Sequence, residues 1–141
     1  MEKDFTDKKF ELVITDNEIK AAMRVILCAG KVYYDLITAR TEAIMTNVAI
    51  IRIEQLYPFP KEEVMTALSV YKNVKEVVWC QEEPHNQGAW MCMRDDISAC
   101  LQDQQKLTYI GRPASASPAT GFAKVHAVEQ AALIKQALNL V

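Results

Sequence analysis

The chain is short of glycine, with 4 in 141 residues. It holds neither Gly-x-Gly-x-x-Gly nor Gly-x-x-x-x-Gly-Lys-[Ser/Thr], so the two common nucleotide-phosphate fingerprints are absent. Its 4 cysteines, Cys28, Cys80, Cys92 and Cys100, form no Cys-x-x-Cys pair. Only His85 and His126 could complete a metal set, so reduced core thiols are expected rather than zinc or disulfides. Basic excess is missing too. The formal net charge is -2, and Lys8-Lys9 is the only adjacent pair of cations. That composition argues against nucleic acid as a partner. No run approaches the ~18 apolar residues of a membrane span. The N-terminal stretch MEKDFTDKKFELVITDNE is charged and has no apolar signal region. A cytosolic or equivalent reducing compartment and no membrane partner are expected.

What is present is alternation. RVILC (24–28), VAIIRI (48–53), EVVWC (76–80) and LTYI (107–110) are short β-rich runs. Between and after them, 31–44, 61–71, 86–102 and 124–140 carry helical patterns. Val32, Leu36, Ala39 and Ala43 recur at helical spacing, and KEEVMTALSVY starts just after Pro60. Strand and helix in alternation imply a parallel sheet with helices on both faces. Residues 1–23 stand outside the repeat, and LVIT (12–15) could add one edge strand.

In such sheets, ligands and partners gather at the carboxyl ends of the strands. Four loops lie there: 29–31, 54–60, 81–88 and 111–121. WCQEEPHNQGAW (79–90) is the densest in functional groups. Glu82, Glu83 and His85 could do acid-base work, but no nucleophile with a matched base accompanies them. Neighbouring residues of an extended strand point opposite ways, so the two carboxylates need not share a site. Structural pairing of these acids is the expected role. Asn86 is expected to cap the following helix, whose first N–H groups could otherwise hold an anion.

CAGK (28–31) is only faintly like a phosphate turn, although Lys31 could reach an anion at a helix start. Arg112 could fork onto a carboxylate or phosphate. Ser115 and Ser117 sit in no Gly-x-Ser-x-Gly elbow. Arg52 interrupts an apolar strand, which is costly for an unpaired charge, so a partner at Glu54 or Glu82 is expected. Trp79 and Trp90 read as core or interface anchors, and EQLYPFP (54–60), with Tyr57 and Phe59, reads as an interface patch.

Taken together, CAGKVYYDL, VAIIRIEQLYPFP, WCQEEPHNQGAW, YIGRPASASPATG and KVHAVEQAALI resemble the C-terminal domain of the 2-oxoglutarate dehydrogenase first component. The resemblance covers roughly residues 24 to 140, the size of one domain. It implies a three-layer α/β/α sandwich with a mostly parallel sheet, like the transketolase C-terminal domain. It divides the chain into an N-terminal extension, 1–23, and a transketolase C-terminal-like domain, 24–141. Two departures are small: the familiar CSGK reads CAGK, and the residue before Asn86, often Lys, is His85.

The resemblance also implies a parent several times longer. That parent decarboxylates 2-oxoglutarate oxidatively on thiamine diphosphate and Mg. It passes the succinyl group to a lipoyl carrier in the citric acid cycle. The diphosphate signature of the family begins with Gly-Asp-Gly, which is absent here. So no catalytic, cofactor-binding or metal-ligating residue is expected in this chain, and His85 and His126 are not assigned such roles. The expected role is structural and regulatory. Partners would be the remaining domains, the second subunit of a homodimer and the lipoyl acyltransferase complex. Compartment would be bacterial cytoplasm or the mitochondrial matrix.

Some relatives bind acetyl-CoA or an adenine nucleotide such as AMP, which makes Lys31, Arg52, Gln81 and Arg112 the effector candidates. Glu82, Glu83, His85, Asn86, Gln87 and Trp90, with Tyr57 and Phe59, are the docking candidates. The alternative is a stand-alone module sensing an adenine nucleotide or acetyl-CoA.

Overall fold

A computed structural model describes residues 10–117 and 121–140. Residues 1–9 of the expected extension and 118–120 of the loop after Arg112 lie outside the described residues. The elements run β1 (Val13–Ile14), β2 (Arg24–Cys28), α1 (Val32–Glu42), β3 (Val48–Ile53), α2 (Lys61–Ser69), β4 (Glu76–Pro84), α3 (Trp90–Ser98), β5 (Lys106–Arg112) and α4 (Ala123–Leu138). The sheet order is β1-β3-β2-β4-β5. β2 to β5 are parallel neighbours, and β1 alone is antiparallel, with Val13 opposite Ile53. This is the expected mostly parallel sheet, with the edge strand shortened to two residues.

The unbroken apolar strands follow from cover on both faces. Side chains alternate across a strand. Val25 and Leu27 therefore join Trp79, Ile51 and the α2 and α3 residues Val64, Leu68, Met93 and Ile97. Ile26 and Cys28 turn the other way, to Ile50, Val78, Cys80 and the α1 and α4 residues Leu36, Leu133 and Leu138. Two helices per face give the three-layer sandwich. Trp79, Ile26, Leu27, Ile50 and Ile51 are almost wholly buried. Each contributes about 1.5–3 kcal/mol by leaving water.

Two ionic clamps complete the fold, and neither is visible in the sequence. Asp16 and Arg40 form a buried ion pair that ties the segment after β1 to α1. Asp16 also accepts from the N–H groups of Glu18, Ile19 and Ile50 at 3.0, 3.1 and 2.9 Å. Arg40 further donates to Glu18 at 2.9 Å and to the Val48 carbonyl at 3.2 Å. Every charge in this buried set has partners, the condition under which burial is tolerated. At the other end, Arg24 donates to Glu76 at 2.7 Å and to the Ala137 carbonyl at 2.8 Å. A cation there complements the C-terminal end of α4, which Asn139 closes at φ 58°.

At the carboxyl edge three boundaries differ from expectation, each for a local reason. β4 continues to Pro84 and β5 to Arg112, because the two strands pair again at Pro84 and Arg112 beyond an irregularity. α3 begins at Trp90 rather than 86, since Gly88 turns the chain left-handed at φ 68°. Asn86 is not the helix cap. Its side chain is spent on Ser115, accepting from the Ser115 N–H at 2.9 Å and donating to the Ser115 carbonyl at 3.0 Å.

Candidate functional site

β2 is the first of the parallel strands, and its successors β3 and β4 lie on opposite sides of it. Sheets of this kind open a crevice where the strand order reverses, at the carboxyl ends. Here that crevice is a cleft of about 850 Å³. Ala29 and Gly30 after β2, Leu56 to Phe59 after β3, and Trp79, Gln81 and Glu83 on β4 line it, with Ala89, Cys92 and Met93 opposite. The Tyr57–Pro58 peptide bond is cis, and Tyr57 is 91% exposed at the mouth.

Gln81 holds this edge together. It is 3% exposed, and its Oε1 accepts from Trp79 Nε1 at 2.9 Å and from the Trp90 N–H at 3.0 Å. Its Nε2 donates to the carbonyls of Gln87 and Pro84 at 2.7 and 3.1 Å. One amide thus joins β4, the turn at 84–88 and the start of α3. Two glycines allow that crowding. A Cβ on Gly88 would stand 3.0 Å from Gln81 Nε2, and one on Gly111 would stand 2.2 Å from Tyr109 Oη. Beside them, Trp90 Nε1 donates to His85 Nε2 at 3.1 Å, and the His85 ring meets Tyr109 edge-on at 4.7 Å. With Nε2 accepting, the ring proton of His85 belongs on Nδ1. Burial pushes the Tyr109 hydroxyl up from its ordinary range. Gln87 and Asn86 both donate to the Ser115 carbonyl at 3.0 Å, which fastens loop 81–88 to loop 111–117.

Glu82 and Glu83 part company, as extended backbone requires. Glu83 lines the cleft. Glu82 turns to the α1 and α4 side, where Lys31 Nζ donates to it at 2.8 Å and Gln130 Nε2 at 3.1 Å. Gln130 Nε2 also donates to Asp35 at 2.8 Å. The hydrogen bond to Glu82 is the main cause that raises the Lys31 ammonium above its ordinary value. Arg112 adjoins this network. Its Nη2 lies 2.9 Å from His126 Nδ1, and its Nε lies 3.4 Å from Glu129 Oε2. That last pair is electrostatic only, because neither buried atom completes a hydrogen bond.

Arg52 sits apart from Glu82. It pairs with Glu54 at 2.6 Å and carries its guanidinium 4.5 Å from the Tyr33 ring and 5.3 Å from the Tyr34 ring. The structure therefore brings Lys31 and Arg112 to one network, places Gln81 inside the edge and leaves Arg52 in its own aromatic cage. Asp35, Tyr109, Glu129 and Gln130 belong to the site's framework and escaped the sequence reading. Their only signal there was polarity within helical or strand patterns.

The framework reads as a fastened edge beside an open cleft. Comparison with known proteins places it. A family model described as 2-oxoglutarate dehydrogenase C-terminal matches residues 2–138. The chain belongs to that family. A 2-oxoglutarate dehydrogenase E1 component from Coxiella burnetii is 49% identical over 129 residues, covering 90% of this chain and 14% of the relative. The one from Haemophilus influenzae is 50% identical over 126 residues, covering 89% and 14%. The one from Cupriavidus necator is 49% identical over 137 residues, covering 95% and 14%. The chain thus spans about 14% of the length of these relatives. Among solved structures, a split gene transketolase described as an inactive beta4 tetramer superposes with a TM-score of 0.62 at 17% identity. That match covers 95% of this chain and 44% of the other, and it shows the fold alone. This member of the 2-oxoglutarate dehydrogenase C-terminal family therefore has a transketolase-like sandwich.

Proposed function

We propose that this chain is a non-catalytic structural and regulatory domain of a 2-oxoglutarate dehydrogenase first component. The supporting observation is near-50% identity, over about nine-tenths of the chain, to E1 components. In the longer protein, 2-oxoglutarate is decarboxylated on thiamine diphosphate, and the succinyl group passes to a lipoyl acyltransferase partner. The residues present here do not fit that cofactor. The sequence has no Gly-Asp-Gly, and no group of three His, Cys, Asp or Glu among the described residues could hold Mg. Cofactor and chemistry belong to other domains, and this domain packs on them and on the second subunit.

The cleft mouth with Tyr57 and Phe59 and the fastened edge with Glu83, His85, Asn86, Gln87 and Trp90 are the docking surface. No helix among the described residues is long and apolar enough to cross a membrane. The setting proposed is the cytoplasm or an equivalent matrix. An effector phosphate, from AMP or acetyl-CoA, would meet Lys31 first, since its side chain is 69% exposed. Arg112, Arg52 and Gln81, the other candidates, are each already engaged by their own neighbours.

The test uses the longer protein that carries this segment. Glu82→Ala should weaken assembly or effector response while thiamine diphosphate affinity and 2-oxoglutarate turnover at saturation stay within about twofold, because among the described residues Glu82 bonds to Lys31 and Gln130. Equal loss of cofactor affinity would overturn the non-catalytic reading. Absence of 2-oxoglutarate turnover by the unaltered longer protein would overturn the family activity for this member.

A further inference from the structure

A surface helix ordinarily turns its apolar stripe inward and its polar residues to water. The second half of α4 obeys this, burying Leu133, Ile134, Ala137 and Leu138. Its first half is inverted. His126, Glu129 and Gln130 point into the body of the domain, where they engage Arg112, Asp35 and Glu82. Val125 and Val128, with the extended N-cap residue Phe122 before them, face out and are 45%, 70% and 77% exposed. An apolar row of this kind on an outward helix face marks a surface that is covered in the working assembly.

We infer that the outer face of α4, from Phe122 to Val128, is seated against the polypeptide that lies outside this segment in the longer protein. This rests on the reading above. Two observations choose that occupant over a second copy of the chain. Relatives are matched over only 14% of their length, so a much larger covalently attached body is at hand. Tethering places such a body at effective concentrations of about millimolar, enough to hold a modest apolar contact. Second, Arg112 at the end of β5 engages His126 and Glu129 near the start of α4, so α4 begins beside the edge where Asn86 and Gln87 bond to Ser115. The inward polar set gives the inversion a purpose. Arg112, Glu129 and Gln130 hold the helix start in place without using its apolar side chains.

The experiment is photochemical carbene footprinting of the longer protein, with this 141-residue chain alone as the reference. Trp79 serves as the internal sign that the fold is intact, since it is buried in either case. Labelling of Phe122 and Val128 should fall about tenfold in the longer protein, the change expected when exposed side chains enter an interface core. Val128→Glu in the longer protein should restore labelling at Phe122 while Trp79 stays protected. Equal labelling in both proteins would overturn the inference. So would protection that appears in the chain alone at micromolar concentration and is lost on dilution, which would assign the face to a second copy. Footprinting does not depend on turnover. Protection of Phe122 in a longer protein that fails to consume 2-oxoglutarate would sink the functional reading and leave this one standing.

Discussion

Gly111 shows how one residue constrains the candidate site. A methyl group there would collide with the Tyr109 ring, whose hydroxyl donates to the Arg112 carbonyl at 3.1 Å. Gly111→Ala should cost about 1–3 kcal/mol, the usual range for overpacking. Urea denaturation would measure it, and an unchanged midpoint would show that Tyr109 swings clear. The thiols give a second residue-scale prediction. All four cysteines are free, but Cys28, Cys80 and Cys100 are buried and Cys92 is exposed, so the expected core role holds for three.

A disulfide reagent at pH 8 should titrate Cys92 quickly in the native chain and the other three only after urea. Burial pushes the Cys80 thiol up to about 12 and the Cys28 thiol further. In the unfolded chain these thiols ionise near their ordinary values, at about pH 8.5. The native state then binds more protons than the unfolded state. Stability should therefore be full below about pH 8.5 and fall as pH rises towards 12, by up to about 1.4 kcal/mol per pH unit for each such thiol. Cys80→Val should flatten part of that slope in denaturant melts taken across this range. An identical slope would assign the alkaline loss to other groups.

Among the elements, the segment before β2 turns on Asp16 and Arg40. Among the described residues, β1 is the strand that pairs it with the sheet, and a strand of two residues is weak by itself. The buried ion pair supplies the anchor. Arg40→Ala should destabilise the domain by about 3–5 kcal/mol, since it strands the Asp16 carboxylate in the interior. Replacing Asp16 and Arg40 together with apolar residues should recover much of that loss. Thermal melts of the single and double variants would decide, and additive losses would mean that the two groups act independently. The same scale explains the strand ends. Pairing between β4 and β5 resumes at Pro84 and Arg112, a register event that no local pattern in QEEP or GR announces.

Across the whole molecule, the sheet order puts β2 between β3 and β4 and so opens the cleft. It also sorts the charged residues. Glu82 and Glu83 are adjacent in the chain yet serve opposite faces, one in the Lys31 and Gln130 network and one in the cleft. The docking and effector roles proposed for these surfaces depend on the rest of a longer protein. For that reason the decisive tests, Glu82→Ala and the footprinting of α4, use that protein.

The sequence by itself determined the layered α/β architecture and which strands are buried on both faces. Period and length of apolar runs report solvent exposure directly, and four such runs alternate with helical patterns. It also placed the four candidate loops on one edge, because parallel crossovers leave them nowhere else to gather. Only the tertiary structure decided that Gln81 is an internal strut, that Asn86 ties two loops instead of capping a helix, and that α4 begins inside out. Those outcomes depend on partners as far as 95 positions away in the chain. A local pattern carries the preference of a residue for water or core. Which donor meets which acceptor is settled only when the sheet has brought distant segments together.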